Sequence, residues 1–317
     1  MTYSIEKVTT LIGAHRYGEH AANIGFLLTD SRSLCFPEET LFFALRSGRH
    51  DGHDFISDLY RRGVRNFVVD TLPIDYVEKY PDTNFLKVIS PLEALQRLAE
   101  RHRDEFNIPI VGITGSNGKT IVKEWLFQLL SPSYTVTRSP RSYNSQIGVP
   151  LSVWLLNEQT QVGVFEAGIS QPGEMLALRD IIQPTIGVIT NIGSAHQENF
   201  KSIEEKANEK LTLFHDASVI VYPEDDETIS RCVAKGEFKG ENISWSCKNA
   251  DAPLYIESIE KNDTETSVTY IYKKGDRRTY KLPFIDEASI ENSIVCVAVC
   301  LALNLTSEQI AERMQHI

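Results

Sequence analysis

One stretch of this 317-residue chain constrains its fold more than any other. Val111-Gly112-Ile113-Thr114-Gly115-Ser116-Asn117-Gly118-Lys119-Thr120 runs from a strand-like apolar segment directly into a helix expected over 121–130. In that context glycines let backbone N–H groups converge on phosphate oxygens, the helix N-terminus adds a favourable dipole, and Lys119 supplies positive charge. The Thr120 hydroxyl can then hold magnesium. The commoner spacing puts a further glycine five positions before Gly118, where this chain has Ile113, so the match is to a shorter Gly-x-x-Gly-Lys-Thr form. The bland alternative is an ordinary strand-to-helix turn with one exposed lysine. Strand, glycines, lysine, hydroxyl and helix coincide here, which predicts nucleotide binding.

The surrounding pattern fits that reading. Strand candidates at 110–114, 163–166, 185–190 and 218–222 alternate with helical segments, which implies a parallel sheet covered on both faces. Residues 254–284 are β-rich, and 266–272 with 279–284 read as a hairpin around Lys273-Lys274-Gly275-Asp276. An apolar helix over 293–303 and a capped segment at 306–309 follow. Upstream, 1–105 reads as a small α/β domain, with buried strands at 41–45 and 66–70 and helical spacing over 54–62. Pro91 opens a helix with the apolar stripe Leu92, Leu95, Leu98 and Ala99. The charged run 100–105 and Pro109 mark a boundary, giving domains 1–105 and 106–317. The expected class is α/β, a small N-terminal domain followed by a parallel-sheet phosphate-loop domain with an added β-rich section.

Composition excludes several functions. Hydrophobic residues at 42% and charged residues at 24% are those of an ordinary globular protein. No apolar run reaches membrane-spanning length, and the N-terminus lacks the features of a secretory signal, so a cytoplasmic protein without membrane insertion is expected. A net charge of −11 disfavours a nucleic-acid partner, and an anionic substrate would need locally placed cations. Cys35, Cys232, Cys247, Cys296 and Cys300 lack the spacing of a disulfide framework or zinc site, and Cys296 and Cys300 read as core.

Thr114-Gly115-Ser116-Asn117-Gly118-Lys119-Thr120 resembles the ATP loop of the Mur ligases, which build the peptide stem of bacterial cell-wall precursors. Asp30-Ser31-Arg32, Leu41-Phe42-Phe43-Ala44-Leu45 and Asp51-Gly52-His53-Asp54-Phe55-Ile56 resemble that family's N-terminal domain, which holds the UDP end of the precursor. Within the family, Asn144-Ser145-Gln146-Ile147-Gly148-Val149-Pro150-Leu151 and Glu166-Ala167-Gly168-Ile169-Ser170-Gln171-Pro172-Gly173-Glu174 resemble the member that adds D-alanyl-D-alanine to UDP-N-acetylmuramoyl-tripeptide. The spelling from Ser139 to Gln146 is similar to a subgroup fused to an alanine racemase, although no racemase lies within this chain. The family also carries a third, Rossmann-like domain that receives the amine. The chain is expected to stop roughly where that domain would begin, as a monomeric piece that binds ligands without ligating.

The resemblance implies a reaction in which the precursor carboxylate attacks the γ-phosphate of ATP, giving an acyl phosphate from which the amine displaces phosphate. It implies roles for particular residues. Positions 114–120, with Asn144, Asn191 and Asn292, contact ATP. Thr120, Glu166 and His196 hold magnesium, together with Lys210, which the family carries as a carbamate. Lys119, Lys210, Asn144 and His196 form the catalytic set. Composition alone reads Lys210 as a solvated helix residue near Lys201 and Lys206, and Glu166 as a solvated acid at a strand end. Ala288-Ser289 stands where the family usually has a His-Asn pair before Asn292. Ser31, Arg32 and Arg46 would meet the UDP-sugar end, supported by Asp51 and His53. The rivals are a Mur ligase adding a diamino acid, a folate-polyglutamylating relative, and a phosphate-loop module that binds ATP without joining substrates.

Overall fold

Strand Ile110–Thr114, buried along its whole length, is the third of nine strands in the sheet on which the larger unit is built. The structure, a computed structural model, describes residues 1–48, 50–193, 197–236 and 238–317, and the chain divides into two units, Met1–Glu105 and Phe106–Ile317. In the second unit one nine-stranded sheet runs in the order Val136–Arg138, Val162–Glu166, Ile110–Thr114, Ile186–Ile189, Val219–Pro223, Glu241–Ser246, Leu254–Lys261, Thr266–Tyr272, Arg277–Leu282. The first seven strands pair in parallel and the last two turn back antiparallel. Val162–Glu166 and Ile186–Ile189 are also buried throughout, the continuous apolar pattern of a sheet with both faces covered. Helices Lys119–Leu130 and Glu287–Ala302 supply Leu126, Leu129, Ile294 and Val297 to a core shared with Val111, Ile113 and Val188.

Chain order and sheet order diverge at Ile110–Thr114. The connections from Ile110–Thr114 lead first to strands on one side of it and then, from Ile186–Ile189 onward, to strands on the other. In an open parallel sheet that reversal leaves a crevice outside the strands' carboxyl ends, where ligands bind.

Several sequence expectations need correction. Strands Val136–Arg138 and Glu241–Ser246 were not foreseen, the first being three half-buried residues at the sheet edge. The β-rich section joins the main sheet, because Leu254–Lys261 pairs in parallel with Glu241–Ser246 and continues it. The last long helix begins at Glu287 rather than Ser293, since the Asp286 side chain accepts from the Ser289 N–H and caps it there. The helical spacing at 54–62 resolves into a 3₁₀ turn, Gly52–Phe55, followed by helix Ile56–Arg61. Cys296 and Cys300 are fully buried, as their apolar helical setting suggested. Among the described residues no helix is long and apolar enough to cross a membrane.

The first unit holds a five-stranded sheet in the order His15–Tyr17, Asn84–Lys87, Asn66–Val69, Thr40–Phe43, Phe26–Leu28, with only the His15–Tyr17 edge antiparallel. Helix Pro91–Arg103 starts at a Ser90 cap and buries Leu95, Leu98 and Ala99. Asp30, Arg46 and Asp70 follow the carboxyl ends of Phe26–Leu28, Thr40–Phe43 and Asn66–Val69, which places them on one edge of the sheet.

Candidate functional site

Two glycines shape the loop between strand Ile110–Thr114 and helix Lys119–Leu130. Gly115 has φ 140°, and a Cβ there would lie 2.0 Å from Thr190 Oγ1. Gly118 has φ 82°, and a Cβ there would lie 2.4 Å from Asn292 Oδ1. Only a residue without a side chain fits such close approaches at positive φ. Asn191 then clasps the loop: its Oδ1 accepts from the Asn117 N–H at 3.1 Å, and its backbone carbonyl accepts from the Ser116 N–H at 2.9 Å. Ser116 Oγ accepts from the Gly193 N–H at 2.8 Å.

Cations gather on this loop. Lys119 Nζ donates to the carbonyls of Gly115 at 2.8 Å and Ser116 at 3.4 Å, and Lys210 Nζ reaches the same Gly115 carbonyl at 3.2 Å. Lys206, one helical turn before Lys210 on helix Ile203–Leu211, donates to the Gly193 carbonyl at 2.6 Å. Lys206 and Lys210 are both almost wholly buried, so the compositional reading of Lys210 as a solvated helix residue is wrong. Burial lowers the pKa of Lys119, with Glu166 opposing the shift and Lys206 adding to it. Burial, helped by Lys119 and Lys206, brings Lys210 down to about 7. Desolvation and like charges both disfavour an ammonium ion, which is why the shift is large.

Facing Lys119 is a buried carboxylate. Glu166 ends strand Val162–Glu166 with no exposed surface, which excludes a solvated strand-end acid. Its Oε2 accepts from Thr120 Oγ1 at 3.0 Å and from Asn144 Nδ2 at 3.5 Å. Its Oε1 lies 3.1 Å from Lys123 Nζ. Thr120 Oγ1 is also 3.3 Å from Ser142 Oγ. Asn292 is buried against Gly118, while Ser289 sits in the first turn of its helix with its N–H on the Asp286 cap.

The structure therefore brings together Thr114, Gly115, Ser116, Asn117, Gly118, Lys119, Thr120, Asn144, Glu166, Asn191, Lys210 and Asn292 around one crevice. His196 lies outside the described residues. Sequence reasoning missed Lys123 and Lys206. The signal was spacing: Lys123 lies three positions after Thr120 and Lys206 four before Lys210, and side chains so spaced share a helix face.

The residues of the first unit form a different kind of cluster. Arg46 grips Asp70 with two bonds, Nε at 2.9 Å and Nη2 at 3.0 Å, and its Nη1 is 3.1 Å from Asp51. His53 Nδ1 is 2.6 Å from Asp51 Oδ1, and its Nε2 is 3.3 Å from Asp70. Arg46 is thus no spare cation, because two carboxylates already occupy it, and Asp70 is the partner that the sequence left unassigned. Although partial burial opposes it, Arg46 and Thr71 hold the Asp70 carboxyl below its ordinary range. Asp30 accepts from the Arg32 backbone and side chain, forming the turn that presents Ser31, and leaves Arg32 mostly exposed.

A sequence model described as the Mur ligase middle domain matches residues 113–300. The UDP-N-acetylmuramoyl-tripeptide–D-alanyl-D-alanine ligase of Bacillus subtilis is 28% identical over 296 residues, covering 91% of this chain and 61% of the relative. The chain thus spans about six tenths of that relative's length. Among solved structures, MurF from Acinetobacter baumannii superposes with a TM-score of 0.89 at 24% identity, covering all of this chain and 68% of that one. MurF from Thermotoga maritima in complex with ADP gives 0.79 at 23% identity, covering 92% and 66%. At such identities the likeness to the solved structures is one of fold.

Proposed function

This chain belongs to the Mur ligase family, and on that premise we propose that it serves ATP-dependent addition of D-alanyl-D-alanine to UDP-N-acetylmuramoyl-tripeptide in peptidoglycan precursor synthesis. The observation that carries the reading is the convergence of Lys119 and Lys210 on the Gly115 carbonyl, opposite a buried Glu166 that meets Thr120. Such a site is suited to a triphosphate, whose transfer chemistry depends on placement and on neutralising charge.

In this reading the loop N–H groups and Lys119 grip the phosphates, Asn144 and Asn191 fix the loops around them, and Asn292 borders the base. The precursor carboxylate forms a bond to the γ-phosphorus as ADP departs. The amine of the second substrate then attacks the acyl carbon and releases inorganic phosphate. Ser31 and Arg32 would meet the UDP end, with Asp51, His53 and Asp70 fixing the direction of Arg46.

Among the described residues no group of three His, Cys, Asp or Glu side chains could hold a metal. Magnesium, however, keeps most of its waters and needs few protein ligands. The Thr120 hydroxyl and the Glu166 carboxylate, 3.0 Å apart, fit that requirement. When bound, magnesium would supply neutralisation of the phosphate oxygens. A second ion would fall to His196 and to a carbamate on Lys210, whose buried amine is suited to gaining carbon dioxide.

Calorimetric titration with ADP and magnesium, then with UDP-linked precursors of different stem lengths, tests this function. We expect ADP binding that Lys119→Met weakens and a preference for the tripeptide precursor. A preference for the dipeptide precursor would instead mark a diamino-acid-adding ligase. ADP binding with no affinity for any precursor would mark a non-catalytic module.

A further inference from the structure

Lys123 is a lysine removed from water. It lies on helix Lys119–Leu130 between Val122 and Glu124, and its side chain has no exposed surface. An ammonium ion removed from water is retained only where its partners offset the lost hydration. Its partners are specific: Glu166 Oε1 at 3.1 Å, Glu124 Oε1 at 3.1 Å, and the backbone carbonyl of Arg141. Arg141 has a left-handed backbone at φ 49°, a conformation that a residue with a side chain keeps only when its surroundings hold it. The loop around it also carries Ser142, which touches Thr120.

We propose that Lys123 is a positioning residue for Glu166. It clamps Oε1 and the Arg141 carbonyl together, so that Oε2 is turned toward the Thr120 hydroxyl and Asn144, the face at which a divalent cation would enter. Thr120 and Lys123 are three apart on one helix, so a single turn presents both the hydroxyl and the clamp to one carboxylate. This inference rests on the reading that Glu166 serves the metal.

The test is the factor by which magnesium strengthens ADP binding, measured by calorimetry with and without the ion. It is compared among the unaltered chain, Lys123→Met, Glu166→Gln and the double variant. A merely structural defect lowers affinity in both conditions and leaves that factor alone. Lys123→Met is expected to reduce the factor about tenfold or more, the usual cost of losing a group that orients a metal ligand. In the Glu166→Gln background the same change should reduce it no further. A wild-type factor in Lys123→Met, or an equal further loss on top of Glu166→Gln, would overturn the proposal. Should Lys123→Met fail to fold, Lys123→Gln takes its place in the same four-way comparison, with the same results expected and the same results overturning the proposal. If Glu166→Gln itself keeps the full factor, the metal reading fails and this inference falls with it. If Glu166→Gln loses the factor and Lys123→Met does not, only the positioning role is lost.

Discussion

Lys210 is where the electrostatics of the site can be read most directly. Burial of its amine, helped by Lys119 and Lys206 beside it, brings its pKa from 10.5 to about 7. At pH 7 a substantial share of such amines is neutral, an enrichment on the order of a thousandfold over the ordinary lysine value. Carbon dioxide reacts only with the neutral form: a nitrogen–carbon bond forms, a proton leaves to solvent, and the product is an anion. The two cations that disfavour the ammonium would then favour the carbamate, so one arrangement would drive both steps. The assay is carbon-13 NMR of the protein under labelled carbon dioxide at fixed partial pressure. A carbamate resonance should grow steadily from about pH 6 to about pH 8, as the neutral amine accumulates. It should vanish in Lys210→Met, and Lys119→Met should move its rise to higher pH. A protein with no Lys210-dependent resonance across that range, or a resonance that persists in Lys210→Met, would refute the reasoning.

Other consequences are simpler to measure. Without carbon dioxide, the unfolded chain binds a proton at Lys210 that the folded chain lacks between about pH 7 and 10.5, so stability from this group rises with pH there. Lys210→Met should therefore raise the melting temperature more near pH 7 than near pH 9, by melts at each about two units apart. Gly115→Ala places a Cβ 2.0 Å from Thr190 Oγ1 at φ 140°; denaturant melts should show a loss of about 2–4 kcal/mol. Lys119→Met should weaken ADP binding by about 10- to 100-fold in calorimetry, the worth of a charge-assisted phosphate contact. Tyr280→Phe removes a buried bond of 2.8 Å to Ser293, beside Asn292, and should cost about 1 kcal/mol by denaturant melt.

Much of the fold was legible because its signals are local. Ile110–Thr114, the glycines and Lys119–Leu130 are neighbours in sequence, and their periods of apolar residues switch where the structure switches. The hairpin Thr266–Tyr272 with Arg277–Leu282 was legible for the same reason, through its turn residues. Val136–Arg138 was not: three residues at a sheet edge carry too little alternation to stand out from a loop. Nor was the parallel pairing of Glu241–Ser246 with Leu254–Lys261, which joins the β-rich section to the main sheet, since pairing is a property of two segments rather than one.

The same division runs through the site. The sequence by itself determined that a tight glycine loop joins a strand to a helix, and which residues compose it, because steric limits on glycine and the needs of a helix terminus act within a few residues. Only the tertiary structure decided that Lys206 and Lys210 are buried rather than solvated, that Glu166 is clamped by Lys123, and that Arg46 is already spoken for by Asp70 and Asp51. Burial and charge pairing depend on what the rest of the chain brings alongside, and a lysine in water and a lysine in a closed crevice are written with the same letter.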